Sequence, residues 1–305
     1  MAYTRRRFLT LASAAALFAP AAQAFRWQGT ALGARAQFIF DHPEAERVAA
    51  RARAEIDRLE DIFSLYRPGS SLCRLNDAGF LAVPPFELLE CLATARRAYH
   101  LTRGLFDPTV QPLWQVTAEA WAHGAPPAET DIARARASIG FRRVAFDSSA
   151  ILLGAGQQLT LNGIAQGYIA DRVARLMRAE GIDDVLIDTG EIIASGQFED
   201  RGGWPVRIAK ARERLLLTNR ALATSALEGT VLDSAGRIGH ILDPGARPKA
   251  RFPIRQISIS AFSAACADAL TTGLCLAADL AEVSSTLERA GDARLEDIRL
   301  SSSTP

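Results

Sequence analysis

Asp268 and Thr272 stand four residues apart within residues 266–272, a spacing that places both side chains on one face of a helix. A carboxylate and a hydroxyl on one helix face supply hard oxygen ligands of the kind that Mg²⁺ prefers. An aspartate in the first turn of a helix is also favoured by the helix dipole without any metal. The spacing alone therefore leaves a metal site and a simple helix cap both open.

Gly163 and Gly167 occur in the stretch NGIAQGY at residues 162–168, between a predicted strand and a predicted helix. Glycine lets the backbone approach a ligand closely, and a helix N-terminus attracts phosphate. The stretch is neither a Walker loop nor the G-x-G-x-x-G dinucleotide fingerprint, and a plain strand-to-helix turn would need similar glycines. A phosphate site and an ordinary turn both fit this pattern.

His240 begins the stretch HILDP at residues 240–244, beside a predicted strand end and a proline turn. Histidine is the side chain best suited to proton transfer near neutral pH, although a lone histidine also serves purely structural roles. The stretch GLFDPTV at residues 104–110 similarly fits a helix stop and turn. His42, His100 and His123 have no neighbours in the sequence that indicate a ligand role.

The composition of the chain narrows the function classes. Its 305 residues are 49% hydrophobic, enough for a large core, and its net charge of +1 implies no strong attraction to nucleic acid or membrane surfaces. The four cysteines form no CxxC pair and no zinc-ligand spacing, while their even number permits disulfides in an oxidising compartment. Cys266 and Cys275 lie in an apolar helical stretch and are predicted to be buried free thiols.

The N-terminus has the layout of an export signal. The basic stretch TRRRFLT at residues 4–10 precedes an apolar run over residues 11–20 and the sequence AQA at residues 22–24, which together match a secretory signal with its cleavage site. Paired arginines are typical of the twin-arginine route, and the apolar run is shorter than the roughly 20 residues of a membrane span. We therefore predict a twin-arginine signal peptide over residues 1–24 and a soluble periplasmic domain over residues 25–305.

Helices and strands must position these segments. Hydrophobic periodicity predicts helices near residues 43–62, 85–102, 168–180, 264–277 and 281–290, with a shorter helix after Thr130 and a polar loop over residues 64–76. Strands are predicted near residues 35–40, 143–146, 151–153, 158–161, 185–188, 192–196, 205–208, 215–218, 256–261 and 298. Because strands occur both in runs and beside helices, the pattern indicates one mixed α/β or α+β domain.

In their order and spacing, these segments resemble the ApbE family of FAD:protein FMN transferases. The resemblance spans nearly the whole predicted mature chain and includes LGA where the family has Met-Gly-Thr. It is carried by residues 32–34, 64–76, 104–110, 162–168, 186–190, 223–225, 240–244 and 267–272. The form NGIAQGY is similar to the NosX branch of the family, which is associated with nitrous oxide reduction.

The resemblance implies a single α+β domain related to the tunnelling fold (T-fold), with mixed and antiparallel sheets packed against helices. It implies transfer of the FMN half of FAD to a threonine or serine hydroxyl of a target protein, with loss of AMP. Asp268, Thr272 and the backbone at Gly163 would hold Mg²⁺, and His240 would be the general base. The residues implied to contact FAD are Leu32, Tyr66, Asp107, Pro108, Thr109, Gln166 and Leu242.

The resemblance also implies a partner. The acceptor would be a membrane-bound redox protein whose threonine or serine faces the periplasm, such as NosR in the NosX branch.

Gln166 stands where many members have lysine, and Thr160 stands where many have aspartate. Two alternatives therefore remain open: a non-catalytic flavin carrier or assembly factor, and an FAD pyrophosphatase that releases FMN and AMP to water.

Overall fold

The computed structural model describes residues 24–209, 214–233, 235, 236, 238–245, 247 and 253–301. The predicted signal peptide lies outside the described residues except for Ala24. In the described part of the chain, none of the helices combines the length and the apolar character needed to cross a bilayer.

The described residues form strands and helices throughout their length. The strands are β1 (Phe25–Ala31), β2 (Ala34–Phe40), β3 (Phe80–Ala82), β4 (Ala145–Phe146), β5 (Ala150–Leu152), β6 (Val185–Asp188), β7 (Ile192–Ser195), β8 (Trp204–Arg207), β9 (Arg214–Leu217), β10 (Arg220–Ala226), β11 (Ile254–Ala261) and β12 (Arg294–Leu300). The helices are α1 (Ala45–Phe63), α2 (Ser71–Ala78), α3 (Phe86–Leu101), α4 (Gln111–Ala122), α5 (Glu129–Ser138), α6 (Ala165–Ala179), α7 (Ala264–Leu274) and α8 (Leu280–Ala290).

Seven strands form the main sheet in the order β1-β2-β6-β7-β10-β11-β12, and every neighbouring pair in it is antiparallel. A three-stranded sheet (β3-β5-β4) and the hairpin β8-β9 accompany it. Helices and antiparallel sheets thus share one domain, which confirms the predicted α+β class with antiparallel sheets. The relation to the T-fold stays a prediction.

Both faces of the main sheet are covered near β2. Successive residues of a strand point to opposite faces, so Phe38 joins the core formed with helices α1 and α6, whereas Ile39 joins a second core. That second core contains Trp204 and Val206 of the hairpin β8-β9. Because the sheet is buried on both faces here, its strands offer a rigid support for the helices and loops above them.

Several predicted elements differ from the structure. The predicted polar loop over residues 64–76 contains helix α2, which begins where Ser70 Oγ accepts the Cys73 N–H at 3.0 Å and ends at Gly79 with φ +70°. The predicted strand over residues 158–161 is wrong, because the Asn76 side chain pairs with both backbone groups of Leu159 at 2.7 and 2.8 Å. Besides α2, four elements were not predicted: α4, β1, β3 and β10.

Candidate functional site

One cleft brings together most of the residues that the sequence singled out. Its lining is mostly apolar with a few polar and charged groups, as is usual for a small-molecule site. Ten of the eleven predicted site residues line it: Leu32, Tyr66, Asp107, Pro108, Gly163, Gln166, His240, Leu242, Asp268 and Thr272. The exception is Thr109, which is fully buried beneath the wall of the cleft.

The predicted metal ligands meet where the turn before α6 approaches α7. A Cβ atom placed on Gly163 would lie 2.8 Å from Thr272 Oγ1, so only glycine leaves the Thr272 hydroxyl accessible. One turn earlier on α7, Asp268 is 3% exposed, and its Oδ2 accepts the Gly167 N–H at 3.3 Å. The Gly163 backbone, a hydroxyl and a carboxylate therefore converge from two adjacent elements.

Burial controls the protonation of this corner. It raises the pKa of Asp268 to about 8, with a smaller contribution from the negative charge of Asp171. Metal ligation requires the carboxylate form, so a cation here would displace a proton from Asp268. Among the described residues there is no group of three His, Cys, Asp or Glu side chains that could hold a metal.

These oxygen donors fit Mg²⁺ in one particular way. Magnesium is commonly held by one or two carboxylates together with substrate phosphates. With a single carboxylate at Asp268, the remaining ligands would come from Thr272, the Gly163 backbone and a bound pyrophosphate. The donor set is therefore that of a metal–phosphate site and not of an all-protein metal cage.

Glu191 was not identified from the sequence, yet it lines the cleft and is 6% exposed. Burial and the neighbouring charges of Asp268 and Asp188 raise its pKa well above the ordinary value. Its position directly after Gly190, in the stretch DTGE, was the one available signal. The cleft thus contains a second buried acidic group close to the candidate cation site.

His240 lines the cleft and is hydrogen-bonded to the backbone of Thr230. The backbone N–H of His240 donates to the Thr230 carbonyl at 2.9 Å. The Nδ1 atom of the His240 imidazole lies 3.2 Å from the same carbonyl oxygen. Burial lowers the pKa of His240 below the ordinary value, which favours the neutral imidazole. Nδ1 also lies 3.3 Å from the Thr230 N–H, from which it accepts in the other tautomer. In the tautomer in which Nδ1 donates to the Thr230 carbonyl, Nε2 is the basic nitrogen and is able to accept a proton from a substrate.

Thr230 was also missed by the sequence analysis. Its side chain lines the cleft and is 7% exposed, and its Oγ1 has no hydrogen-bond partner among the described residues. Buried hydroxyls are normally hydrogen-bonded. A polar group of a bound ligand next to His240 would satisfy this one.

Asp107 depends on Thr109 for its orientation. Asp107 Oδ1 accepts the Thr109 N–H at 2.8 Å and the Thr109 hydroxyl at 2.5 Å, and Oδ2 accepts the Phe141 N–H at 3.2 Å. Thr109 Oγ1 in turn accepts the Gly140 N–H at 2.7 Å. Thr109 does not line the cleft wall, because its hydroxyl is used to fix Asp107 from below. Its contact with FAD stays a prediction.

An apolar end of the cleft suits a flat ring system. Tyr66 is half exposed there, and Trp114 of the unpredicted helix α4 also lines the wall. Leu32 lies at the tip of the β1-β2 hairpin with φ +47°, and its N–H donates to Glu60 Oε1 at 2.6 Å. Aromatic and aliphatic side chains on opposite walls provide the kind of surface that covers a flavin or adenine ring.

Gln166 occupies the first turn of α6 and is 4% exposed. A Cβ atom on Gly190 would lie 2.8 Å from its Nε2, so the amide packs against the turn between β6 and β7. Gln166 also lines the cleft. It supplies a neutral donor at the position where the resemblance implies a lysine in many members.

Comparison with known proteins identifies a family and several relatives of this chain. A family model described as "ApbE family" matches residues 29–294. The FAD:protein FMN transferase of Vibrio cholerae serotype O1 is 30% identical over 246 residues, covering 73% of this chain and 72% of that protein. The FAD:protein FMN transferase of Klebsiella pneumoniae is 26% identical over 261 residues, covering 77% and 72%.

Solved structures share the fold. The flavinyl transferase ApbE of Pseudomonas stutzeri in its apo form superposes with a TM-score of 0.76 at 23% identity, covering 89% of this chain and 90% of that one. A histidine-to-glycine variant of the flavin transferase ApbE from Vibrio cholerae gives a TM-score of 0.77 at 21% identity, covering 92% and 98%. At these identities the likeness establishes a common fold.

Proposed function

The chain belongs to the ApbE family, and on that basis we propose that it is an FAD:protein FMN transferase that requires Mg²⁺. The observation that carries the proposal is that Asp268, Thr272 and Gly163 share one cleft with His240. Relatives named FAD:protein FMN transferase support the reaction. FAD is the substrate, and a hydroxyl of a protein is the acceptor.

The reaction divides the work among these residues. The acceptor oxygen attacks the phosphorus of the FMN half of FAD, the bond from that phosphorus to the bridging oxygen breaks, and AMP leaves with the bridging oxygen. His240 takes the proton of the acceptor hydroxyl, since a hydroxyl is a weak nucleophile until a base activates it. A bound Mg²⁺ would neutralise charge on the pyrophosphate. Catalysis of this kind of transfer depends mainly on the positions of the reacting groups and on electrostatic stabilisation. The buried helix α7 fixes the positions of Asp268 and Thr272, and with them the charge near the pyrophosphate.

The remaining wall residues bind and orient FAD. Tyr66, Leu32 and Leu242 would cover apolar ring surface, while Asp107 and Gln166 supply polar contacts. Pro108 and Gly163 have no polar side chains, so only their backbone groups would make polar contacts with FAD. In this proposal the pyrophosphate would lie near α7, and His240 would lie beside the reacting phosphorus.

One incubation tests the proposal and separates its alternatives. Purified protein is mixed with FAD, Mg²⁺ and a target domain that carries an acceptor threonine, and a target with that threonine changed to alanine serves as the control. A mass gain of FMN on the threonine target alone supports transfer. Free FMN and AMP without a labelled target would indicate an FAD pyrophosphatase, and intact FAD would indicate a carrier or assembly factor.

The compartment and the acceptor belong to the same proposal. The twin-arginine sequence at residues 4–10 supports export to the periplasm, and the likeness of NGIAQGY to the NosX branch supports a membrane-bound redox acceptor such as NosR. Changing Arg5 and Arg6 to lysine should retain the protein in the cytoplasm, measured by cell fractionation. Normal periplasmic recovery of that double variant would refute the export route.

A further inference from the structure

Helices α6 and α7 cross at unusually close range, and three residues from each side form the crossing. On each side these residues are spaced four apart, so they form a single face. They are Gly163, Gly167 and Asp171 on or just before α6, and Ala264, Asp268 and Thr272 on α7. At the centre of the crossing, a Cβ atom on Gly167 would lie 2.3 Å from the Ala264 carbonyl oxygen.

Asp171 binds the first turn of α7. Its Oδ1 accepts the Ala264 N–H at 2.9 Å, and its Oδ2 accepts the Ala265 N–H at 3.1 Å and the Ser263 hydroxyl at 2.8 Å. The first backbone N–H groups of a helix have no partners within the helix. Asp171 therefore supplies from α6 a cap that α7 otherwise takes only from Ser263, whose Oγ accepts the Cys266 N–H at 3.2 Å.

The hydrogen bonds between Asp171 and the start of α7 fix both the rotation and the axial position of α7. Asp268 lies one turn beyond Ala264, and Thr272 lies one turn further along the same face. Because Gly167 and Ala264 are in contact and Gly163 faces Thr272, a small displacement of the start of α7 moves both oxygen ligands relative to the Gly163 backbone. Because the backbones of Gly167 and Ala264 are in direct contact, the space between the helices cannot absorb such a displacement.

We propose that Asp171 is a positioning residue for the cation site, which sets Asp268 and Thr272 against Gly163 by anchoring the start of α7. The inference rests on the proposed function, in which these three residues hold Mg²⁺. Asp171 itself is one helical turn beyond Gly167 and is not part of the cleft wall. Its effect on the cation is transmitted through the helix.

The test measures cation binding and not only turnover. In Asp171→Asn, the Mg²⁺ concentration for half-maximal FMN transfer should rise on the order of tenfold, as is usual when support behind a metal ligand is lost. The rate at saturating Mg²⁺ should largely recover. Mn²⁺ binding in the presence of FAD, followed by electron paramagnetic resonance here and for every variant below, should weaken by the same factor, while the Kd for FAD without metal stays unchanged.

Two further variants separate positioning from charge and from general stability. Ser263→Ala removes the hydroxyl that donates to Asp171 and accepts the Cys266 N–H, without changing any charge. It should shift Mn²⁺ affinity in the same direction by less. Asp279→Ala removes the cap of α8, where Asp279 Oδ1 accepts the Glu282 N–H at 2.8 Å. It should lower Tm and leave Mn²⁺ affinity at the wild-type value.

The outcomes are distinct. Wild-type Mn²⁺ affinity in Asp171→Asn, with or without a lower Tm, would overturn the inference. So would a shift in Asp171→Asn accompanied by none in Ser263→Ala, because charge alone would then explain it. A wild-type protein that binds Mn²⁺ but transfers no FMN refutes the proposed function and leaves the positioning test intact. A wild-type protein that binds no Mn²⁺ overturns both.

Discussion

The backbone of Gly163 lies so close to Thr272 that a Cβ at position 163 would stand 2.8 Å from Oγ1 and 2.9 Å from Cγ2 of that side chain. Gly163→Ala should therefore push the Thr272 side chain or α7 away from the cation site. We expect FMN transfer to fall by at least tenfold, with a higher Mg²⁺ requirement, since misplaced ligands weaken a metal site. Initial rates measured across a Mg²⁺ series would show both effects.

Gly69→Ala is the matched control for that substitution. A Cβ at Gly69 would meet no atom within 4 Å, and its backbone does not have the left-handed φ that favours glycine. Its transfer rate and Mg²⁺ dependence should equal those of the wild type. Equal behaviour of Gly163→Ala and the wild type would show that the Gly163–Thr272 approach has no part in catalysis.

His240 should give the transfer rate an acidic limb. Burial lowers the pKa of this imidazole below its ordinary 6.5, and the base is active only when neutral. The rate should be constant near pH 7 and fall with a slope of one proton below about pH 6.5. A pH profile of kcat at saturating FAD and Mg²⁺ measures the limb.

His240→Ala should remove that limb and slow transfer by roughly 10²–10⁴-fold, the usual contribution of a general base. FAD binding should persist, because the flavin contacts lie elsewhere in the cleft. Equilibrium dialysis or flavin fluorescence measures the binding separately from turnover. Unchanged transfer in this variant would exclude His240 as the base.

Local rules were sufficient to predict part of this site. Asp268 and Thr272 were placed on one helix face from their spacing, because helical periodicity depends only on neighbouring residues. The loop positions of His240 and Gly163 followed from turn-forming residues near them. The order of the motifs then indicated the family, and the family model matches residues 29–294.

The rest depends on contacts between distant parts of the chain. Glu191 and Thr230 become cleft residues only because β7 packs against α6 and β10 packs against α7, which no local pattern encodes. Strand β10 (Arg220–Ala226) is rich in small residues with weak strand preference, so its pairing with β7 and β11 decides its conformation. The role of Thr109 in orienting Asp107 also depends on a distant contact, since its partner Gly140 is 31 residues away.

Thr109→Val should weaken FAD binding without unfolding the protein. The change removes the hydroxyl that donates to Asp107 at 2.5 Å and accepts from Gly140 at 2.7 Å, so Asp107 loses part of its orientation. A rise of about 3- to 10-fold in the Kd for FAD follows from a lost hydrogen bond of roughly 1 kcal/mol. Titration of flavin fluorescence at fixed Mg²⁺ provides the value.

Thr117→Val controls for the loss of a buried threonine hydroxyl. Thr117 Oγ1 donates to the Leu113 carbonyl at 2.7 Å within α4 and does not contact Asp107. Its Kd for FAD should stay at the wild-type value even if Tm falls. Comparable weakening in both variants would assign the effect of Thr109 to general stability.

Asp188 should destabilise the metal-free protein at high pH. Burial raises its folded-state pKa from 3.8 to about 6, so the folded protein takes up a proton that the unfolded chain has already released. Below about pH 4 the Asp188 carboxyl is protonated in the folded and the unfolded state and does not affect the free energy of unfolding. The cost of ionising it in the folded state develops between about pH 4 and pH 6 and is complete above pH 6. The shift corresponds to an upper bound of about 3 kcal/mol.

Asp188→Asn removes this cost, because an amide oxygen still accepts the Gly190 N–H that Asp188 binds at 3.1 Å. Its Tm measured in EDTA should exceed that of the wild type at pH 8 and match it near pH 4. Asp147→Asn should behave in the opposite way, since hydrogen bonds from Ser149 lower the pKa of Asp147 and its carboxylate stabilises the fold above pH 4. An equal gain for Asp188→Asn at both pH values would mean that the amide improves packing, and that burial of charge at position 188 costs nothing.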